Sequence, residues 1–326
     1  MTRTRIAGTG RALPSRVVTN HDLERTVDTS DAWIRERTGI VERRVLEEGR
    51  STSDLAAEAS LKACQAAGID PGEIDCVILG TVTPDMPMPA CAVFVQQKIG
   101  ALRAAAFDIS AACAGFIYGL SIADSFIRTG QFKKVLVIGV EVLSRILNWQ
   151  DRNTCVLFGD GAGAAVLLGE EGERGILSTH IFTDGSAWQE LNIPAGGTRC
   201  PTTQHTVAEK MHYVRMNGRE IYKLALKNIT RASQIALEHN GFSAQQVDWV
   251  IAHQANLRII EGVADRLTVP LSRFHLNIQK YGNTSSASIP IALDEAIELG
   301  KVQPGHLLLF CALGAGVSWG SALVRW

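Results

Sequence analysis

The chain has 326 residues, 46% hydrophobic and 20% charged, with 32 basic against 33 acidic side chains and a formal net charge of -1. That balance excludes bulk electrostatic attraction to nucleic acid or an anionic membrane, and leaves any anionic ligand to locally placed arginines and lysines. The opening MTRTRIAGTGRALPS lacks the apolar core of a signal peptide, and no apolar run approaches the roughly 18 residues of a membrane span.

The seven cysteines (Cys64, Cys76, Cys91, Cys113, Cys155, Cys200 and Cys311) are odd in number and form no CxxC pair. Neither a disulfide framework nor a metal site is expected from them. Reduced thiols of a cytoplasmic protein are the simplest reading, with room for one reactive group.

In chain order, the alanine-rich residues 55–67 read as a helix and 74–80 as a buried strand. Residues 134–139 repeat the near-continuous apolar character of that strand, as do 307–310, and 289–299 suit a second alanine-rich helix. Strands alternating with helices predict an α/β fold, with helices covering both faces of a sheet.

The two ends of the chain carry the same landmarks. Ala67-Gly68-Ile69 followed by Ile74-Asp75-Cys76-Val77-Ile78-Leu79-Gly80 recurs as Asn240-Gly241-Phe242 followed by Val247-Asp248-Trp249-Val250-Ile251-Ala252-His253, offset by 173 residues. The segment from Cys113 through Gly130 to Val135 matches that from about Ser285 through Gly300 to Leu307. Each copy closes on a glycine-rich turn and a strand, at 159–166 and 314–324. Such a period is too long for a solenoid and predicts two homologous halves, residues 1–174 and 175–326, fused without a linker.

Three residues stand out against this frame. Cys113 follows a strand-like run and three small residues, Ser110-Ala111-Ala112, and precedes the helical pattern Phe116, Leu120, Ala123 and Ile127. This places the sulfur at a helix N-terminus, where N–H groups and the dipole favour a thiolate. His253 ends an apolar strand and opens His253-Gln254-Ala255-Asn256, at the carboxyl end where open α/β sheets place ligands. Asn283, in Gly282-Asn283-Thr284-Ser285, carries turn and N-cap chemistry and lies close to the counterpart of Cys113. Thiol, imidazole and carboxamide together point to acyl transfer through a thioester, with the acceptor left open.

With these residues in place, the sequence resembles the β-ketoacyl-acyl carrier protein synthase III family of the thiolase-fold superfamily. The likeness spans nearly the whole chain. It is carried by Trp33-Ile34-Arg35-Glu36-Arg37-Thr38-Gly39-Ile40, the Cys113 motif, Asp151-Arg152, Phe158-Gly159-Asp160-Gly161-Ala162-Gly163, His253-Gln254-Ala255-Asn256-Leu257-Arg258, Gly282-Asn283-Thr284-Ser285 and the final Trp319-Gly320-Ser321-Ala322-Leu323-Val324-Arg325. It implies a five-layer αβαβα body and a cofactor-free homodimer acting on acyl-CoA and malonyl-acyl carrier protein.

By that resemblance Cys113 takes an acyl group from acyl-CoA, while His253 and Asn283 stabilise the enolate formed as the malonyl unit loses carbon dioxide. The backbone N–H groups of Cys113 and Ala315 form the oxyanion hole. Asn283, in place of a second histidine or cysteine, implies the initiating, CoA-primed type. Trp33 and Arg152 sandwich the adenine, Arg37 meets the phosphates, and Gly218 and Asn256 line the pantetheine tunnel. Lys223, Arg258 and Arg266 receive the carrier protein.

Two departures matter. The last turn reads Gly314-Ala315-Gly316 where three glycines are usual, so Ala315 needs a negative φ. Met88 stands where an aromatic residue often reaches across the dimer to floor the acyl pocket, which implies a starter longer or bulkier than acetyl. A condensing enzyme of secondary metabolism with another acceptor and, further off, a silent acyl-CoA-binding homologue are the competing readings.

Overall fold

The computed structural model describes residues 2–326. Its main strands are β1 (Thr2–Ala12), β2 (Cys76–Gly80), β3 (Ala105–Ile109), β4 (Lys134–Glu141), β5 (Gly161–Glu171), β6 (Gly175–Thr183), β7 (Trp249–Ala252), β8 (Leu307–Gly314) and β9 (Ser318–Arg325). The helices that matter below are α1 (Asp31–Thr38), α2 (Thr52–Ala67), α3 (Cys91–Ile99), α4 (Gly115–Arg128), α5 (Gly218–Asn240), α6 (Leu257–Leu267) and α7 (Ser288–Glu298). None among the described residues is long and apolar enough to cross a membrane.

The first sheet runs β1-β5-β4-β2-β3 and the second β7-β8-β9-β6. In the first, β3, β2 and β4 are parallel, with β5 and β1 antiparallel beyond them. In the second, β7 and β8 are parallel, followed by antiparallel β9 and β6. The 173-residue offset carries β4 onto β8 end for end, Lys134 to Leu307 and Glu141 to Gly314.

The unbroken apolar runs are explained by burial on both faces. Ile78 and Val137 face inward, toward Phe116 and Leu120 of α4 and Ile289 and Leu293 of α7, with Leu308 and Phe310 of the second sheet closing the same core. Their neighbours Val77, Leu79, Leu136 and Ile138 face outward onto α2 and α3. Likewise Leu307, Leu309 and Val250 pack under α5 and α6. The order is helices, sheet, central helices, sheet, helices: the five layers of the thiolase fold.

Strands β2 and β7 start two residues later than the sequence pattern predicts, at Cys76 and Trp249. The cause is the same in both places. The Asp75 carboxylate accepts from the N–H of Lys133 and Lys134, and the Asp248 carboxylate from that of Leu307. Each aspartate thus bonds the start of the neighbouring strand through its side chain as well as its backbone.

Candidate active site

The carboxyl ends of both sheets converge on two short 3-10 turns, Ala112–Ala114 and Ser285–Ala287. Their leading residues, Ala112 and Ser285, are related by the 173-residue offset, and both take the left-handed backbone, with φ of 44° and 49°. Such φ values are uncommon outside glycine and gather at sites where the surrounding structure enforces them. Cys113 follows the first turn residue and Ser286 the second, so Ser286 is the positional counterpart of the cysteine.

Backbone contact holds these turns in register. A Cβ on Gly314, the last residue of β8, would overlap the Cys113 nitrogen, and one on Gly139 would overlap the Ser286 carbonyl. One on Gly80 would meet the Gly115 backbone at 3.0 Å. The Ser286 hydroxyl donates to the Gly80 carbonyl at 2.8 Å, tying the second half's turn to the first half's strand.

Cys113, His253 and Asn283 all line one narrow cavity of about 120 Å³. The main-chain N–H of His253 donates to the Cys311 carbonyl at 2.8 Å, which continues the β7–β8 pairing past the strand end. Gln254 fixes the turn that follows: its Nε2 donates to the carbonyls of Ala252 and His275, while its Oε1 accepts from Asn277 and Ile278. Asn283 accepts at Oδ1 from the Ser285 N–H at 2.9 Å. That bond fixes the amide orientation and leaves the Nδ2 hydrogens to face the cavity.

Two further cavities adjoin the first. An apolar chamber of about 210 Å³ shares Cys113, Phe158 and Leu191 with it, and adds Val82, Leu143, Ile146, Ile193, Val214 and Ala315. On the other side, a wide mouth of about 530 Å³ shares Gly218, Tyr222 and Asn256, and is flanked by Arg37, Arg219, Lys223 and Arg258. The result is a basic mouth, a neck and an apolar chamber, with the Cys113 sulfur where neck and chamber meet.

Residues 107–185 match the family model described as 3-Oxoacyl-[acyl-carrier-protein (ACP)] synthase III, and residues 237–326 match the model of its C-terminal part. Over 321 residues, 98% of this chain and 97% of the other, it is 50% identical to the beta-ketoacyl-[acyl-carrier-protein] synthase III of Caldanaerobacter subterraneus subsp. tengcongensis. The chain belongs to the 3-oxoacyl-[acyl-carrier-protein] synthase III family. The crystal structure of the synthase III of Aquifex aeolicus superposes with a TM-score of 0.92 at 46% identity, with 100% of both chains covered. The priming beta-ketosynthase of the R1128 polyketide pathway reaches the same TM-score at 33% identity, over 99% of this chain and 96% of that one.

Of the other residues singled out in this synthase III chain, Arg37, Gly218, Lys223, Asn256 and Arg258 line the mouth, while Trp33 and Arg152 line none of the three cavities. Trp33, on α1, is bracketed by guanidinium groups, Arg152 at 5.2 Å and Arg37 at 5.9 Å from the ring centre. Arg152 also donates to the Asp28 carbonyl at 2.7 Å. Asn256 caps α6 through the Arg258 N–H and donates from its own amide to the Arg37 carbonyl at 3.1 Å. Gly316, with φ of 129°, takes the strained conformation of the last turn, and Ala315 has no positive φ. An alanine is therefore accommodated there.

Arg266 and Met88 also stay apart from this path. Arg266 sits in the last turn of α6, away from the mouth that Arg258 flanks at the start of the same helix. Met88 is 84% exposed on the loop before α3 and lines none of the three cavities.

The electrostatics depart from the expectation of a resting thiolate. Burial pushes the Cys113 thiol up to about 12, and the neighbouring Glu141 adds to the effect. Desolvation outweighs the helix N-terminus here. Burial also holds His253 at about 3, so its imidazole is neutral at physiological pH, and its Nδ1 has no hydrogen-bond partner among the described residues. A neutral imidazole can still donate one hydrogen bond.

Sequence reasoning missed Glu141, which is fully buried beneath the turns, and the role of Ser285 between it and Cys113. A signal was present in a carboxylate closing an unbroken apolar strand, the same pattern that marked His253. Arg219 and Tyr222 at the mouth, and the chamber walls Leu143, Ile146 and Ile193, carried no such signal.

Proposed function

We propose that the protein condenses an acyl-CoA starter with malonyl-acyl carrier protein, with loss of carbon dioxide, through an acyl-Cys113 intermediate. The observation that carries this reading is the single path from basic mouth to apolar chamber, with Cys113, His253 and Asn283 in its neck. The mouth supplies cations for the CoA phosphates. The neck has room for a thin pantetheine arm, and the chamber takes the acyl tail. The N–H groups of Cys113 and Ala315 stabilise the tetrahedral oxyanion, and His253 and Asn283 donate to the thioester oxygen of the malonyl unit as its enolate forms.

In the same reading Trp33 and Arg152 part to stack on either side of the adenine. Lys223 and Arg258 at the mouth, with Arg266 beyond it, meet the acidic carrier protein. The chain acts as a cytoplasmic homodimer. Its support is the free outer edge of β3 beside the exposed Met86, Met88 and Leu102, a surface suited to strand addition by a second copy. Met88 of that copy then reaches the chamber. The shared offset of strands, aspartates and strained turns supports two homologous halves, 1–174 and 175–326.

The chamber, lined almost wholly by aliphatic side chains, favours a starter longer or bulkier than acetyl. Incubation with a panel of acyl-CoAs, followed by intact-protein mass spectrometry and product analysis with malonyl-acyl carrier protein, tests both parts. The expected result is one acyl adduct on Cys113, faster for branched or medium chains than for acetyl, and a 3-ketoacyl product. Acetyl preference would overturn the starter assignment, and no 3-ketoacyl product would overturn the acceptor. The likeness to a polyketide priming enzyme favours a second reading, the same chemistry in secondary metabolism.

Removing the stacking partners gives a further expectation. Trp33→Ala or Arg152→Ala is expected to raise the KM for acyl-CoA about tenfold, corresponding to roughly 1.4 kcal/mol of stacking and cation–π contact. The rate at saturating acyl-CoA stays near that of the unaltered enzyme. Steady-state kinetics with acyl-CoA as the varied substrate checks both values.

A further inference from the structure

Glu141 has no place in the chemistry described so far, although it lies fully buried directly beneath it. It ends β4 and is surrounded by hydrogen-bond donors from two segments. Oε2 accepts from the Thr83 hydroxyl at 2.7 Å, the Val82 N–H at 3.1 Å and the Thr81 hydroxyl at 3.2 Å. Oε1 accepts from the Ser285 hydroxyl at 3.2 Å, while the Ser286 hydroxyl, 3.3 Å away, gives its one proton to the Gly80 carbonyl. All four donors are neutral. Asp160, before β5, is occupied by Leu46 and Ser144, and His253 is affected by burial alone. Cys113 is the titratable group whose ionisation Glu141 opposes by its charge.

The Ser285 hydroxyl bridges the two. It lines the chamber beside Cys113, whose ionisation it favours, and donates to Glu141 at 3.2 Å, from a residue held at φ of 49°. Acylation requires the thiol to lose its proton, and the walls of the site offer few bases to take it. His253 is buried and neutral, and apart from Ser285 and Asn192 the chamber side chains around the sulfur are aliphatic or aromatic.

We propose that Glu141 is the acceptor of the Cys113 thiol proton, reached through the Ser285 hydroxyl. The inference rests on the acyl-cysteine reading above. As the sulfur attacks the thioester carbonyl, its proton passes to Ser285 Oγ while the serine proton passes to Glu141 Oε1. The new bond joins Cys113 Sγ to the acyl carbon. Collapse of the tetrahedral adduct breaks the bond between that carbon and the CoA sulfur, and the departing thiolate takes back one proton. Acyl-CoA and a thiol give an acyl-cysteine and free CoA, and Glu141 returns to its ionised form. Ser285 lines the chamber beside the reacting sulfur, and Glu141 acts through it.

Burial raises the Glu141 carboxyl to about 7, which makes the relay sensitive to pH near neutrality. Below that value the group holds its proton and cannot accept another, so acylation should rise with pH through the region and level off above it. Quenched-flow acylation by acyl-CoA, read by intact-protein mass spectrometry across about pH 5 to 9, measures this directly. The unaltered protein is expected to show a midpoint near the Glu141 value. Glu141→Gln is expected to lose that inflection and to acylate about 10²-fold more slowly, with Glu141→Asp restoring the inflection.

Ser285→Ala, which removes the bridge and leaves the carboxylate its donors at Thr81, Val82 and Thr83, is expected to act like Glu141→Gln. It decides the matter should the latter fail to fold. Transfer from a pre-formed acyl-enzyme to malonyl-acyl carrier protein is expected to fall far less in both variants. A uniform slowing with the inflection kept would mark a structural role and overturn the relay, as would unchanged acylation. Absence of any adduct on Cys113 in the unaltered protein would instead sink the acyl-cysteine reading, and the relay with it.

Discussion

Cys113→Ala is expected to abolish the acyl adduct and to lower condensation by on the order of 10⁴-fold or more, the scale seen when a covalent nucleophile is removed. The substitution is mild structurally, because the side chain is buried and alanine adds no volume. What disappears is the sulfur between neck and chamber. The six other cysteines give no substitute: Cys64, Cys76, Cys91, Cys155 and Cys311 are buried, and the half-exposed Cys200 lines none of the three cavities. Slow decarboxylation of malonyl-acyl carrier protein should persist, since it needs only the imidazole and carboxamide. Mass spectrometry and carbon dioxide release separate the two steps. An adduct on another thiol with condensation retained would refute the assignment of the nucleophile.

His253→Ala and Asn283→Ala have the second largest expected effect and a different signature. Each is expected to lower condensation by about 10²–10³-fold, the loss typical of one oxyanion donor, while acylation falls by less than about tenfold. The separation follows from the geometry. Asn283 Oδ1 is committed to the Ser285 N–H, so its free donors face the neck, and the neutral His253 has one N–H to give. Because both line one neck and are proposed to donate to one oxygen, the double variant should lose less than the product of the single losses. Rates of adduct formation and of ketoacyl product, measured on the same preparations, check the split. Loss of acylation with malonyl decarboxylation intact would reverse the roles.

Fold class and the residues that meet in the candidate site were legible in the sequence for physical reasons. Strands buried on both faces read as continuous apolar runs, and the five-layer body contains mainly such strands. A glycine after each first helix, then an aspartate two residues into each first run, marked the same construction twice. The aspartate's use was not legible, because bonding a neighbouring strand start depends on which strands are adjacent. Glu141 was hidden for a related reason. Its partners come from residues 81–83 and from Ser285, and only the folded chain brings those together. The thiolate expectation failed because sequence shows a helix start but not the depth at which the sulfur is buried.

The glycines that lock the two turns together bear on how this molecule can change. Gly80, Gly115, Gly139 and Gly314 set the distance between nucleophile and partner half through backbone atoms, which have no rotamers to sample. The chamber is walled by Ile146, Ile193 and Val214, side chains that exchange volume with their neighbours at modest cost. Chemistry and appetite are therefore written in separate parts of the chain. Drift in the aliphatic wall can retune which acyl group is accepted while the sulfur, imidazole and carboxamide keep their places.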